Sequence, residues 1–463
     1  MKLLTSVWDY FNDRLGLREL MAPLFDHLVP PDSTWWYVFG SATLFAFLVQ
    51  VATGITLATV YIPSTGQAYQ SLQFITNEAP FGNLLRAIHN WGAYAMIFFV
   101  GMHMIRVFLT GAYKFPREMS WVTGTFLFLF TITMGFTGQV LRFDQNAIWS
   151  LVVGAEQAGR TPIIGDWLAQ FILAGRTFGG ATLSRIYSVH MLWIPAGIFA
   201  FLGIHLFLVI RNGISEPPEI GRPVNPKTYR SWYENMLKER GVPFFPDAGW
   251  RDVVFSTGMI LGIIIIALVV GSPKLIKPPD PSIIQANPRP DWYLLWYFAA
   301  LALIPPGIEN YFMIGAPLVA GVVLVALPFI FNKGERHPLR RPWAMGTILL
   351  IIVMVGILWL QGANSDWSPN FDAQPLPASV VGETSGPVYQ GAQLFYSKGC
   401  EYCHTIDGYG GKRGPDLSNI GSRLSRDDII SRILNGGTNM PPYADNMSPD
   451  DLNALVEFLK SRQ

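Results

Sequence analysis

Seven stretches of roughly twenty mostly apolar residues run through this chain, near 35–60, 81–110, 120–140, 186–210, 252–271, 312–331 and 344–360. A helix needs about twenty such residues to cross the hydrocarbon core of a bilayer. Once there, each helix must satisfy its own backbone polar groups, because lipid offers no hydrogen bonds. The fold is therefore predicted to be an all-α, seven-span transmembrane bundle. Composition agrees: 14% of residues are charged, against a usual share of about 25%. The net charge of +1 gives no reason to expect a nucleic-acid partner. A further apolar run from Trp292, "WYLLWYFAALALIPPG", is cut short by its prolines and reads as an interfacial or buried half-helix. The opening "MKLLTSVWDYFNDRLGLREL" has the alternation of an amphipathic surface helix, not the apolar core and cleavage site of a signal peptide.

Lys and Arg in the loops set the expected orientation. With the N-terminus inside, segments 1–34, 111–119, 211–251 and 332–343 hold sixteen of them, and the opposite loops 61–88, 141–187 and 272–311 hold eight. The expectation is a multi-pass protein of a bacterial cytoplasmic membrane, with everything after the seventh span outside the cytoplasm.

Four histidines lie inside the apolar runs. His89 and His103 are fourteen residues apart, and His190 and His205 fifteen. An ionisable ring in hydrocarbon is costly unless it is paired or bound. Fourteen helical residues advance about 21 Å and fall about 40° short of four turns; fifteen advance about 22 Å and overshoot by about 60°. Each pair thus shares roughly one helix face at two depths. If spans two and four pack together, His89 faces His190 and His103 faces His205. Each facing pair could ligate one haem iron, giving an outer and an inner haem b. Arg86 near the outer pair, and Arg106 and Arg117 near the inner pair, are candidate propionate partners; the competing reading is an interfacial arginine whose stem lies along apolar surface. His27 and His337 lie in polar segments and are expected to hold no iron.

After Trp359 the chain turns rich in Pro, Ser, Gly and Asn, which reads as a linker over 361–385 that leaves a tail at 386–463 free to move. Cys400 and Cys403 are the chain's two cysteines, and "CEYCH" is the C-x-x-C-H haem-attachment pattern. The thiols would form thioethers, making one covalent haem c, and His404 would supply an axial nitrogen. Met440 in "NGGTNMPPYA" is the preferred second ligand, with Met447 its competitor; a Met/His pair raises the potential relative to bis-His ligation. A redox disulfide or half a zinc site would leave His404 and the methionine loop without a role.

The tail resembles class I cytochrome c, through its N-terminal helix, "GPDL" at Gly414 to Leu417, the methionine loop and the C-terminal helix. That resemblance implies that the carbonyl of Pro415 accepts the His404 N–H. Residues 1–215 resemble the cytochrome b of the bc and b6f quinol-oxidising complexes, the b6f branch in particular, through "FLVQVATG", "RAIHNW", "RVFLTGAYKFPRE", "WVTG", "SRIYSVH" and the fifteen-residue His spacing. Residues 216–360 resemble that branch's separate small subunit, here fused, with "PDWY" at Pro290 to Tyr293 as the anchor. The resemblance implies a proton-translocating quinol:cytochrome c oxidoreductase core, working as a homodimeric complex with a Rieske iron–sulfur protein. Asp291 and Tyr293 would be catalytic at an outer quinol site formed with the segment from Met134, and a second quinone site would border the inner haem. Two departures stand out. Val38 occupies the position where the b6f branch carries a cysteine, so an extra covalent haem cannot attach there. Asp291 replaces the family's Glu. With no further cysteine available for an iron–sulfur cluster, catalysis needs another chain, and a soluble or membrane-bound acceptor must take electrons from haem c. The competing reading is a non-catalytic di-haem anchor for a dehydrogenase or hydrogenase, which gives "PDWY" no role; a purely structural anchor explains neither histidine pair.

Overall fold

The structure is a computed structural model that describes residues 2–279, 288–364, 369–370, 372–436, 440 and 442–463. Among these, seven helices are long and apolar enough to cross a membrane. They are α1 (Phe39–Ala58), α2 (Gly82–Leu109), α3 (Glu118–Val140), α4 (Gly180–Asn212), α5 (Gly249–Val269), α7 (Ile308–Ile330) and α8 (Pro342–Asn364), with the short α6 (Trp292–Leu303) between α5 and α7. The chain is a multi-pass membrane protein. Helix α1 lies along α2, and α3 along α4. Between the two histidine levels the bundle is filled by Ala46, Phe47, Met96, Ile194 and Ile198.

Helix α4 is not regular. Val189–Trp193 is wound as a π turn, ending two residues before Pro195. Proline has no N–H to return to the carbonyl of Met191, and a π turn takes in one extra residue. That extra residue removes the overshoot expected for a fifteen-residue spacing and returns His190 and His205 to one face.

The fused second half is joined to the first by buried arginines at the His103 end. Arg336 is ion-paired with Glu216, and donates to the Glu216 carbonyl at 2.7 Å and the Thr110 carbonyl at 3.3 Å. Arg341 donates to the carbonyls of Phe108 (2.8 Å) and Leu109 (3.0 Å) and to the Tyr113 hydroxyl (2.8 Å). At the opposite end α6 is a buried half-helix against α8: Trp359 Nε1 donates to the Trp292 carbonyl at 2.9 Å. Gly362 approaches so closely that a Cβ there would lie 2.5 Å from the Leu295 carbonyl oxygen.

The tail packs α9 (Pro387–Ser397), α10 (Arg426–Asn435) and α11 (Pro449–Lys460) around Phe395, Leu455, Val456 and Phe458. Helices α9 and α11 cross at Gly391, where a Cβ would meet the Ala454 carbonyl oxygen at 2.1 Å. Ser448 caps α11, accepting from the Asp451 N–H at 3.1 Å. The linker expected over 361–385 is shorter than its composition suggested. Helix α8 continues to Asn364, and Leu376 and Val381 already belong to the tail's apolar core. Arg462 fixes that lead-in by donating to the carbonyls of Val380 and Val381.

Candidate redox centres

The four membrane histidines meet in two pairs, as their spacing required. The His89 and His190 rings face each other with centroids 6.5 Å apart and planes at 72°. An imidazole nitrogen binds a transition-metal ion at about 2 Å. Doubling that and adding each ring's radius gives roughly 6 Å between centroids, so the gap has room for one iron between the rings. His103 and His205 pair at the other level, each half-buried.

What the histidines alone did not disclose is the row of glycines facing them. A Cβ on Gly54 would sit 3.2 Å from the His89 ring, on Gly138 3.0 Å from His190, on Gly40 3.1 Å from His103, and on Gly124 3.4 Å from His205. Gly40 and Gly54 are fourteen residues apart on α1, and Gly124 and Gly138 are fourteen apart on α3. Matching fourteen-residue repeats in three spans were the available signal. The missing side chains leave two notches, one per pair, and a broad planar group fits such a notch. Three histidines also contact a hydroxyl through Nδ1: His89 with Thr53 at 2.9 Å, His190 with Thr137 at 3.0 Å and His205 with Thr123 at 3.0 Å.

The His89/His190 notch opens into a cavity of about 1700 Å³ of empty space, counting its mouth. Its walls include Arg86, Tyr94, Arg142, Asp291 and Tyr293. Asp291 caps the first turn of α6 by accepting from the Trp292 N–H at 2.9 Å. The same carboxylate accepts from the Tyr94 hydroxyl at 2.9 and 3.0 Å. Tyr94 was missed in the sequence; its signal was a lone phenol one turn beyond His89. The Tyr293 hydroxyl is buried beside Gly135, where a Cβ would lie 2.8 Å away, and no described residue takes its hydrogen bond. Asn146 and Arg289 exchange two 2.9 Å hydrogen bonds that hold the segment leading to Asp291 against the helix after α3. Arg142, also missed, reaches into this cavity while its Nε (3.0 Å) and Nη2 (2.5 Å) hold Asp144.

The three candidate propionate arginines separate. Arg86 is buried on the cavity wall and donates to Thr76 (3.0 Å), Ser272 (3.0 Å) and the Pro273 carbonyl (2.7 Å). Arg106 stacks over Tyr37 at 4.7 Å, and its buried Nε and Nη1 have no hydrogen-bond partner among the described residues. Those two unspent donors fit an anionic group at the His103 end. Arg117 does something else. It donates to the carbonyls of Gly213 (2.8 Å), Asn212 (3.3 Å) and Ile214 (3.2 Å) and to the Tyr229 hydroxyl (2.7 Å), so its donors clamp the chain leaving α4. The expected propionate role for Arg117 is replaced by this one. His27 stacks on Phe244, and His337 accepts from the Leu339 N–H at 3.3 Å, both away from the notches.

Residues 24–213 match the family described as cytochrome b/b6/petB, and 278–372 match cytochrome b(C-terminal)/b6/petD. Cytochrome b6 of Synechococcus elongatus is 37% identical over 214 residues, 46% of this chain and 100% of that protein. The chain belongs to the cytochrome b/b6 family. Cytochrome b6 of Crocosphaera subtropica is also 37% identical, over 213 residues, 46% of this chain and 96% of its own. A solved structure titled "Hyperthermophilic respiratory Complex III" superposes with a TM-score of 0.66 at 25% identity, covering 85% of this chain and 95% of that one. This cytochrome b is thus a membrane subunit of a Complex III or b6f-type quinol oxidoreductase, and its domains imply haem b and haem c as cofactors.

Residues 387–459 match the family described as cytochrome C oxidase, cbb3-type, subunit III. In this cytochrome c domain Cys400 and Cys403 flank a single turn, and His404 Nδ1 lies 2.8 Å from the Pro415 carbonyl oxygen. Gly414 is indispensable to that contact, since a Cβ there would be 2.6 Å from the His404 ring. Burial lowers the His404 pKa, against the opposing carbonyl, which favours the neutral ring, the form that binds iron. Met440 is half-buried, and its neighbours 437–439 and 441 lie outside the described residues. Met447 packs on the tail's apolar core, which gives the competing thioether a structural role. Val38 is buried at the foot of α1.

The tail is not detached from the membrane half. Lys277, in the loop after α5, donates to the Tyr396 carbonyl, with its ammonium 3.5 Å from the Tyr396 ring centroid and 5.1 Å from that of Tyr402. Trp149, Ile276, Ala373, Tyr402 and Cys403 form one small apolar cluster beside it. The tail expected to move on its linker sits in a docked position, with the attachment motif against the loop at the His89 end.

Proposed function

We propose that this chain oxidises quinol in the cavity at the His89/His190 end. The observation that carries the reading is that one cavity joins that histidine pair to Asp291 and Tyr293. Haem bound at the two pairs and on Cys400 and Cys403 would supply one-electron redox chemistry, two haem b and one haem c per chain. Oxidising a quinol releases two protons, and a carboxylate on the cavity wall can accept one. Tyr94 holds the Asp291 carboxylate with both oxygens engaged, and the Trp292 N–H fixes its direction, so the acceptor is aimed before substrate arrives. Capping and proton acceptance are compatible in one side chain.

One electron is assigned to the transmembrane histidine ladder toward a second quinone site at the His103 end, and the other to a Rieske partner and then to the docked tail. Both cysteines are committed to haem c, so the iron–sulfur cluster must come from another chain. The excess of Lys and Arg in the loops on the N-terminal side supports a cytoplasmic N-terminus in a bacterium and a tail on the outer side. A homodimeric complex and a soluble or membrane-bound acceptor complete the reading.

Asp291→Asn tests it, because Asn caps a helix start as well as Asp but cannot accept a proton at neutral pH. Quinol oxidation should fall about tenfold or more with haem spectra unchanged, in the range general bases contribute. Asp291→Glu should retain much of the activity. Full turnover of the Asn variant with an unaltered pH profile would reduce Asp291 to a cap.

A further inference from the structure

Two arginines stand on the wall of the cavity at the His89 end, and they are held differently. Arg86 has both terminal nitrogens engaged, Nη1 by Thr76 and Ser272 and Nη2 by the Pro273 carbonyl. Arg142 gives only Nε (3.0 Å) and Nη2 (2.5 Å), both to one oxygen of Asp144. Its Nη1 makes no hydrogen bond among the described residues.

The local backbone is built around this arm. Helix α3 ends at Val140, and two backbone bonds continue it as a turn: the Arg142 N–H donates to the Gln139 carbonyl (3.2 Å) and the Phe143 N–H to the Val140 carbonyl (3.1 Å). Phe143 then takes a left-handed φ of 49°, which is costly for a residue with a Cβ. Beyond that reversal Asp144 is fully buried, and its other oxygen caps the following helix by accepting from the Ala147 N–H at 2.9 Å. So fixed an anchor sets the guanidinium plane and leaves Nη1 as the arm available to the cavity. Burial weighs against charge on Arg142, but Asp144, and with it Asp291 and Tyr94, outweigh burial, so the group stays a cation.

A proton that leaves a quinol hydroxyl for Asp291 leaves an oxygen anion behind. Among mostly apolar walls that anion is costly without a donor. A cationic N–H already held in place stabilises such developing charge without having to reorganise. We propose that Arg142 Nη1 donates to the quinol oxygen from which Asp291 takes its proton, so that the two residues act on one atom. In that step the quinol O–H bond breaks, an O–H bond forms on Asp291, and the negative charge passes from the carboxylate to the quinolate oxygen; no electron moves. The two electrons then leave by the routes already assigned, and the second hydroxyl proton passes to water at the cavity mouth as quinone forms. Because Arg142 is paired with Asp144, it contributes a directed donor more than a net charge. The inference rests on the quinol reading of this cavity.

The test is quinol oxidation by the purified, membrane-derived complex, with a short-chain ubiquinol or menadiol as donor, whichever the parent oxidises faster. Arg142→Met alone would leave Asp144 buried without a partner, so it is made together with Asp144→Asn, which keeps the helix cap. We expect kcat to fall about tenfold to a hundredfold, towards the loss seen when one oxyanion donor is removed. KM should stay within about twofold, since the bond strengthens only as the anion forms, and haem spectra should not change. The decisive measurement adds Asp291→Asn. Two side chains that act on the same proton transfer give non-additive losses, so the combined variant should be hardly slower than Asp291→Asn alone. A turn that merely props the cavity wall would multiply the two losses. Multiplied losses, or an unchanged kcat, would overturn the inference. Loss of the haem at the His89 end would also overturn it, by making Nη1 a propionate partner. Full turnover in Asp291→Asn would instead overturn the role of Asp291 on which the inference stands.

Discussion

The membrane bundle and the tail both match haem-protein families, but their candidate sites are built in opposite ways. In the bundle the two histidines of a pair lie about a hundred residues apart in sequence, and the notch between them is made by glycines on two further helices. In the tail, Cys400, Cys403 and His404 lie within five residues, and Pro415 and Gly414 complete the histidine's surroundings. A site assembled from four helices exists only if the packing does. A site written into one turn needs only that turn and a covalent bond. The bundle should therefore be sensitive to added volume, and the tail to lost chemistry.

The sharpest way to break this contrast is to fill a notch. Gly138→Leu puts side-chain atoms where a Cβ alone would be 3.0 Å from the His190 ring. We expect complete loss of the haem at the His89 end, seen as about half the haem b absorbance, with covalent haem staining unchanged. An overpacked site that still held its haem would show that the bundle yields more than close packing allows.

Cys400→Ala should do the reverse. Haem staining after denaturing electrophoresis should fall sharply or vanish at the full chain's mass, while the haem b spectrum persists. A stained band of undiminished strength in this variant would mean covalent attachment elsewhere, and would reopen the reading of Val38.

The smallest expected effect concerns Glu401, between the two cysteines. Its side chain is fully buried, and burial pushes its carboxyl up to about 7 despite the nearby Lys277. A folded-state pKa above the unfolded one means the folded tail holds its proton longer. Stability should therefore decline as pH rises from about 4.5 to about 7 and level off above. The decline amounts to about 3 kcal/mol at most, at about 1.36 kcal/mol per unit. Thermal unfolding of the tail in the full chain, followed by haem c absorbance, should show this slope, and Glu401→Gln should flatten it.

The same contrast explains how much could be read in advance. The spans, the paired histidines, the attachment motif and the short helix after Asp291 were legible because each rests on a local period or a short motif. The π turn at Val189–Trp193 was not, since a single extra residue leaves no periodic trace, although the fifteen-residue spacing was its symptom. The glycines and threonines were hidden because their meaning depends on which helix they face. Tyr94 and Arg142 gain their roles from Asp291 and the cavity, far away in sequence. Arg117 was misassigned for the same reason: proximity along the chain to a histidine said nothing of the carbonyls after α4 that occupy it.

The docking of the tail on Lys277 has a consequence for how strong that contact needs to be. One ammonium, two tyrosine rings and a small apolar cluster make a modest interface. Held on a short tether, however, the tail meets its landing loop as an intramolecular ligand, at an effective concentration that reaches the millimolar range for short flexible linkers. An affinity too weak to hold a free protein suffices at that concentration. It also lets go readily. A carrier that must collect an electron at one place and deliver it at another is best served by a resting place it occupies often and leaves quickly.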